Sequence, residues 1–115
     1  MANTFKVVTK AGVTSADVIY TVAGSTTTVV LGLILGNTTS SSINATVTLG
    51  TDTSNRAGAN DEANQAVELL TTTPIPGNSS LELLSGNKVV METTDTLSVT
   101  GTGATDVVLS IMEIT

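Results

Sequence analysis

The feature that most constrains this chain is an apolar stretch at residues 26–36, the longest in the sequence. In an extended strand, Val30 and Ile34 lie on one face, and the Val or Leu residues at 29, 31, 33 and 35 lie on the other. A strand that is apolar on both faces has to be covered on both, either by a second sheet of the same domain or by a neighbouring chain. The stretch therefore predicts a β-rich fold and makes its strand a candidate for subunit contact.

The composition favours one domain with a weakly charged surface. The chain has 115 residues, of which 40% are hydrophobic and 12% are charged. The charged share is about half of the roughly 25% that is usual in soluble domains. A single domain over residues 1–115 can therefore build a core, under a surface that is rich in Thr rather than in Lys or Glu. Such a surface can pack against protein at a low desolvation cost, or it can be a solvated β surface.

The charge balance excludes several classes of partner. The net charge is −6, with four positively charged residues in the whole chain. Nucleic acids and anionic membranes are therefore not expected as partners, because phosphate binding needs clustered cations. The sequence has no Cys for disulfides, its first residues lack the pattern of a signal peptide, and its longest apolar run is too short to span a bilayer. We expect a soluble protein that is made in the cytoplasm.

Short β-branched segments alternate with turn residues along the chain. Eight or nine strands at this spacing predict an all-β, single-domain β-sandwich of jelly-roll or Ig-like type, with about eight antiparallel strands, or a small barrel. Residues 43–49 are expected to pair with the strand at 26–36, and residues 81–84 and 88–92 are expected to form a hairpin. The predicted strands are 4–9, 17–22, 26–36, 43–49, 66–70, 81–84, 88–92, 96–100 and 106–114.

The one clear change of composition lies at about residues 50–65 and predicts a long polar loop. Three carboxylates and two amides in this loop could gather and bind calcium through oxygen atoms: Asp52, Asp61, Glu62, Asn55 and Asn60. Their spacing matches no EF-hand loop, so a solvated loop is the favoured interpretation. A non-enzymatic carbohydrate- or calcium-binding module that uses this loop is kept as an alternative function.

Groups suited to catalysis are scarce. The chain has no His and no Cys, and it therefore lacks the commonest general base and the strongest nucleophile. We expect no enzyme activity, no metal site and no cofactor. Asp95 is expected to stabilise its turn through an Asx-type hydrogen bond, and Asp106 is expected to do the same at the entry to the last strand. Phe5 and Tyr20, the only aromatic residues, are expected to pack in the core or at an edge rather than to form a sugar-binding platform.

Two predicted strands carry more apolar side chains than a one-sided sheet needs. The last strand has Val108, Met112 and Ile114 on the face opposite its core residues, and the strand at 26–36 has Val30 and Ile34. These five residues are the candidate interface, and a second sheet of the same sandwich is the alternative cover for them. The expected partner at this interface is another copy of the chain.

Six blocks of sequence resemble the small Thr/Val-rich virion structural proteins of tailed bacteriophages, particularly those of cyanophages and marine myophages. The blocks are MANTFK (1–6), VIYT (18–21), TTVVLGL (27–33), PIPGNSSLELL (74–84), VVMETTDTL (89–97) and DVVLSIMEIT (106–115). The resemblance implies a β-sandwich subunit that assembles symmetrically in many copies and that carries no catalytic residue. It also implies a place in the virion, after synthesis in the host cytoplasm, with other virion proteins as partners. Attachment at the neck or tail is the first expectation, and capsid decoration is the second.

Overall fold

The computed structural model of the chain describes residues 2–51, 65–84 and 86–115. These residues form nine strands in two antiparallel sheets, which confirms the predicted β-sandwich. Among them, no helix is long and apolar enough to cross a membrane. The strands are β1 (Asn3–Val13), β2 (Asp17–Thr21), β3 (Thr27–Asn37), β4 (Ile43–Thr51), β5 (Gln65–Ile75), β6 (Ser80–Leu83), β7 (Val89–Met91), β8 (Thr96–Gly101) and β9 (Thr105–Ile114).

The strand order is that of a jelly roll with one additional strand. The first sheet has the order β1-β9-β3, and β6 and β7 both pair with the other side of β3. The second sheet has the order β2-β8-β4-β5. When β7 is set aside, two four-stranded sheets remain, the first and last strands of the chain are neighbours, and β1 to β4 alternate between the sheets. This arrangement selects the jelly-roll type over the Ig-like type.

Two predicted strand pairings are wrong. The strand at 43–49 does not pair with the strand at 26–36, because β4 lies in the other sheet between β5 and β8. The strands at 81–84 and 88–92 do not form a hairpin, because β6 and β7 lie one after the other along β3. Alternation indicates which face a residue occupies only where the strand is regular, and it does not show which strand lies beside it.

The core is one hydrophobic cluster between the two sheets. β3 contributes Val30, Leu33 and Leu35, whose side chains are exposed by at most 1%. The pairing of β3 with β9 shifts register between Val30 and Gly32, and this bulge reverses the alternation along the strand. Val30 therefore faces the core, whereas Ile34 faces outward. The prediction that Val30 and Ile34 share one face is wrong for this reason.

Polar side chains hold the ends of the strands together. The amide nitrogen of Asn37, which is buried, donates to the carbonyl oxygens of Ser41 at 2.7 Å and of Ile75 at 2.9 Å. Asp95 stabilises its own turn, as predicted, but the bond that it accepts at 2.9 Å comes from the backbone N–H of Glu92, which precedes it, and not from a later residue as in an Asx turn. The prediction for Asp106 is wrong, because its carboxylate accepts from the backbone N–H of Gly12, on the neighbouring strand β1, at 2.9 Å.

The predicted polar loop at about 50–65 lies mostly outside the described residues, which exclude 52–64. Gly50 and Thr51 are the last residues of β4, and Gln65 is the first residue of β5, so the ends of the predicted loop belong to strands. The calcium-site prediction for Asp52, Asp61 and Glu62 lies outside the described part of the chain. Within that part, no group of three or more His, Cys, Asp or Glu side chains could hold a metal ion.

Candidate assembly interface

The outer side of the five-stranded sheet is covered by apolar side chains. Residues that pair directly across an antiparallel sheet lie on the same side of it, and buried residues alternate with outward ones along β9. Phe5 is exposed by 71%, Val7 by 62%, Val90 by 56% and Ile34 by 39%. We call this surface the apolar face, and its members are Phe5, Val7, Val29, Ile34, Val90, Val108, Met112 and Ile114.

Seven of the eight side chains of the apolar face lie in three rows that cross the strands, and Ile114 lies in a fourth row, beside Asn3 and Thr27. From β1 outward, the three rows are Phe5–Met112–Val29–Val90, Val7–Ser110–Gly32 and Thr9–Val108–Ile34–Glu82. The first row is apolar throughout, and the third is apolar at its centre. The middle row rises less above the sheet than the other two rows, because Ser110 has a small side chain and Gly32 has none. Val7 protrudes at one end of this row.

A cavity of about 180 Å³ opens at the other end of the middle row. It lies beside the part of β3 that pairs with neither β6 nor β7, since β6 pairs with residues 33–36 and β7 with residues 28–30. A Cβ atom placed on Gly32 would meet no other atom within 4 Å, so the space over this residue is open. The cavity is lined by Leu31, Gly32, Leu33, Ile34, Glu82, Leu83 and Leu84.

The charged groups near β1 lie on the inner side of the sheet rather than on the apolar face. The Nζ atom of Lys6 lies 2.7 Å from Oε1 of Glu113, and the hydroxyl of Tyr20 donates to Oε2 of Glu113 at 2.6 Å. The Tyr20 oxygen also lies 2.7 Å from Oγ1 of Thr28. These contacts connect β2 in one sheet with β1, β3 and β9 in the other, so they close this side of the sandwich.

The same contacts shift two pKa values. Burial, followed by the contact with Glu113, raises the pKa of Tyr20 from 10.0 to about 12. The hydrogen bond from Lys6, followed by that from Tyr20, lowers the pKa of the Glu113 carboxyl below its ordinary value of 4.5. Both shifts favour a neutral phenol and an ionised carboxylate at neutral pH. The group therefore works as a structural link between the sheets, with every charge and hydroxyl in it partnered.

The outer side of the other sheet has a different chemistry. β4 and β8 present hydroxyl side chains there, with Thr46 beside Thr100 and Thr48 beside Ser98. All four are half-buried. The two outer surfaces of the sandwich thus differ, one being apolar and uncharged at its centre and the other being hydroxylated. In the described part of the chain, only the five-stranded sheet has an apolar outer side. A partner that buries apolar surface would therefore bind to that side rather than to the four-stranded sheet.

The edges of both sheets carry features that discourage edge-to-edge pairing. Among the described residues, β1 pairs on one side only, and its core-facing side carries Lys6 and Lys10 beside the buried residues Ile111 and Val107. β2 has five residues and a register shift, β6 has four residues and β7 has three. β5 includes Pro74, which has no N–H to donate. These features make the open edges poor sites for extending either sheet with another chain.

Four of the five predicted interface residues lie on the apolar face: Ile34, Val108, Met112 and Ile114. Val30 does not, because its side chain is fully covered by its own subunit, as the alternative interpretation allowed. Sequence reasoning missed Phe5, Val7 and Val90, and it expected Phe5 to be packed. The missed signal was the alternation of Phe5 and Val7 with Lys6 along β1. Lysines usually face solvent, and this rule gives the wrong side for β1, because Lys6 lies on the core-facing side and Phe5 and Val7 face outward.

Comparison with known proteins identifies a fold rather than a family. No protein-family model matches the chain, and no curated protein matches it. A chain of the T13 IBDV viral particle is 8% identical with a TM-score of 0.50, over 96% of this chain and 35% of that one. What the two share is a fold. A chain from Bacillus endospore appendages, described as a novel family of disulfide-linked pili, is 15% identical with a TM-score of 0.48, over 99% of this chain and 87% of that one.

Proposed function

We propose that this protein is a non-enzymatic structural subunit that assembles with copies of itself through the apolar face. The observation that carries the proposal is the exposure of Phe5, Val7 and Val90 by more than half, on one continuous side of a sheet. Isolated exposed apolar residues are common on soluble proteins, whereas contiguous apolar patches mark contact sites.

The size of the surface fits a protein partner. β1 and β3 have eleven residues each, and the sheet is four strands wide because β6 and β7 lie end to end. At about 3.3 Å per residue and about 4.8 Å per strand, this sheet covers roughly 700 Å². Each partner in a complex of standard size loses about 800 Å² of accessible surface. Nearly the whole outer side of the sheet would be needed, which favours a flat partner of similar size.

The distribution of charge permits a second copy to be that partner. The chain has a net charge of −6, so two copies repel each other at most orientations. The centre of the apolar face carries no charged side chain, and Glu82 lies at its edge in the third row. Two copies can therefore approach through this face without bringing like charges into direct contact.

The proposed location is the virion of a tailed bacteriophage, with attachment at the neck or tail and contacts to other virion proteins. The six sequence blocks that resemble virion structural proteins support it, as does the low share of charged residues. Capsid decoration is the second position. A jelly-roll fold that also occurs in a viral particle is compatible with either position. A carbohydrate- or calcium-binding module is disfavoured by the sequence, which has two aromatic residues and no EF-hand spacing.

The proposal is tested by the mass of the purified chain in solution, measured by light scattering after gel filtration. At about 0.1 mM we expect a dimer or a larger assembly, and we expect Ile34→Asp to be monomeric with an unchanged circular dichroism spectrum. The matched control is Val18→Asp, which places the same charge at an exposed valine on the other sheet and should leave the mass unchanged. A monomeric wild-type chain would contradict self-assembly.

The location is tested separately on intact phage particles. Antibodies raised against the purified chain should label the neck or tail in electron micrographs. Labelling spread over the capsid would instead identify the protein as a capsid decoration protein. Particles that contain no copy of the chain by mass spectrometry would remove the virion from the proposal while leaving the test of self-assembly unaffected.

A further inference from the structure

We infer that two copies pack face to face about a two-fold axis parallel to the strands, with Val7 of each copy inserted into the cavity of the other. The inference rests on the proposed self-assembly and adds a specific arrangement to it. In a two-fold contact, the same surface serves both partners and each pair of contacts occurs twice. The arrangement thus requires a protrusion and a recess on opposite ends of one row.

The middle row of the apolar face has these two features. Val7 protrudes on β1 with 62% of its surface exposed, and the cavity of about 180 Å³ opens beside Gly32 at the far end of the row. Ser110 and Gly32 lie between them and keep the row low. Rotation by 180° about an axis parallel to the strands exchanges the two ends of every row. It therefore places each Val7 over the partner's cavity.

The same rotation matches the other two rows. In the first row, Phe5 comes to lie over Val90 of the second copy, and Met112 comes to lie over its Val29. In the third row, Val108 comes to lie over Ile34. Sheets that pack face to face keep their strand directions within about 30° and lie about 10 Å apart. The protruding side chains of both copies can interdigitate at that distance.

The other face-to-face arrangement fits the surface less well. An axis perpendicular to the strands places β1 over β1 and each cavity over the partner's cavity. Val7 would then meet Val7, and the two recesses would remain empty against each other. Empty space at a contact forfeits dispersion energy and apolar burial. The position of the cavity therefore selects the axis.

The arrangement is tested by cross-linking, which suits this chain because it has no Cys. Thr9 and Glu82 are exposed ends of the third row, and the inferred axis places them over each other. A mixture of Thr9→Cys and Glu82→Cys chains should give covalent dimers with a short bifunctional thiol reagent, and neither variant alone should do so. Asn44→Cys, on the opposite sheet, is the control and should not link to Thr9→Cys.

A second test fills the cavity without disturbing the subunit. Gly32→Val places a side chain in space where a Cβ meets no atom within 4 Å, and valine suits a strand. We expect the unfolding midpoint of the monomer to be kept or raised and the dimer Kd to rise at least about tenfold. Val7→Ala should raise the Kd to a similar extent.

The outcomes separate the inference from the proposal on which it rests. A monomeric wild-type chain would overturn both. An assembled chain in which Thr9→Cys and Glu82→Cys fail to link, or in which Phe5→Cys and Thr9→Cys link instead, would overturn only the inferred axis. Unchanged dimer affinity in Gly32→Val would overturn the insertion of Val7.

Discussion

The phenol of Tyr20 lies between the two sheets, and its contacts predict how stability depends on pH. Its folded pKa of about 12 is above the ordinary value of 10.0. A raised pKa gives stability that is complete below pH 10 and is lost as the pH rises through about 12. The carboxyl of Glu113 has a lowered pKa, so its contribution is complete above about pH 4.5 and is lost as the pH falls through the folded pKa.

Urea denaturation at several pH values measures both effects. From about pH 9 to about pH 11.5, the wild-type chain should lose on the order of 1–2 kcal/mol of unfolding free energy more than Tyr20→Phe loses. Below about pH 4.5, it should lose more than Glu113→Gln loses. Parallel pH profiles of wild type and variants would mean that this group does not link the sheets.

Residue patterns predicted the faces of β9 correctly but failed where a side chain acts across the fold. Val107, Leu109 and Ile111 are buried, as their spacing predicts. The burial of the side-chain amide of Asn37 was not predicted, because its partners include the carbonyl oxygen of Ile75, 38 residues away. The bond from Gly12 to Asp106 spans 94 residues. Local sequence carries no signal for such contacts.

At the level of the elements, strand existence was predictable and strand partners were not. Each of the nine predicted segments overlaps one observed strand, because β-branched residues and turn formers act locally. Strand pairing depends on closing loops between segments that are far apart in the sequence, and β3 pairs with β9 rather than with β4. The bulge between Val30 and Gly32 had no signal beyond the glycine itself, which in a strand marks bulges or close approach.

The lysines of β1 predict an effect on aggregation. Lys10 lies on the core-facing side of an edge strand, where its charge opposes pairing with another chain. Lys10→Ile should therefore aggregate at lower protein concentration than wild type, through the β1 edge. Its ion pair with Asp17, at 3.6 Å and half-exposed, contributes little to stability, so the variant should still fold.

Light scattering over time at several protein concentrations measures this effect. The matched control is Lys88→Ile, which removes the same charge at an exposed position just before β7. Both variants have a net charge of −7, from the −6 of the wild type less one. Equal aggregation of the two variants would attribute the effect to net charge and would contradict a protective role of the β1 edge.

At the level of the whole molecule, the sequence predicts a sandwich with excess apolar surface but does not say where the excess lies. Two-sided apolar strands look alike whether a second sheet or a second subunit covers them. In the structure, the inner side of β3 is covered and the outer side is not. The exposed Phe5 and Val7 on β1 enlarge that open side, and only the three-dimensional register brings them beside Met112 and Ser110.

The distribution of charge over the whole molecule predicts how salt affects association. If two copies meet through the uncharged apolar face, the net charge of −6 on each copy opposes their approach, and salt screens this repulsion. The dimer Kd should therefore stay constant or fall as NaCl rises from about 0.02 M to about 0.5 M, where the screening length shortens to a few ångströms. Sedimentation velocity over that range measures the Kd. A Kd that rises steeply with salt would mean that ion pairs hold the copies together. The ion pairs of the described residues lie near β1 and β2. That result would therefore place the interface at this edge of the sandwich rather than on the apolar face.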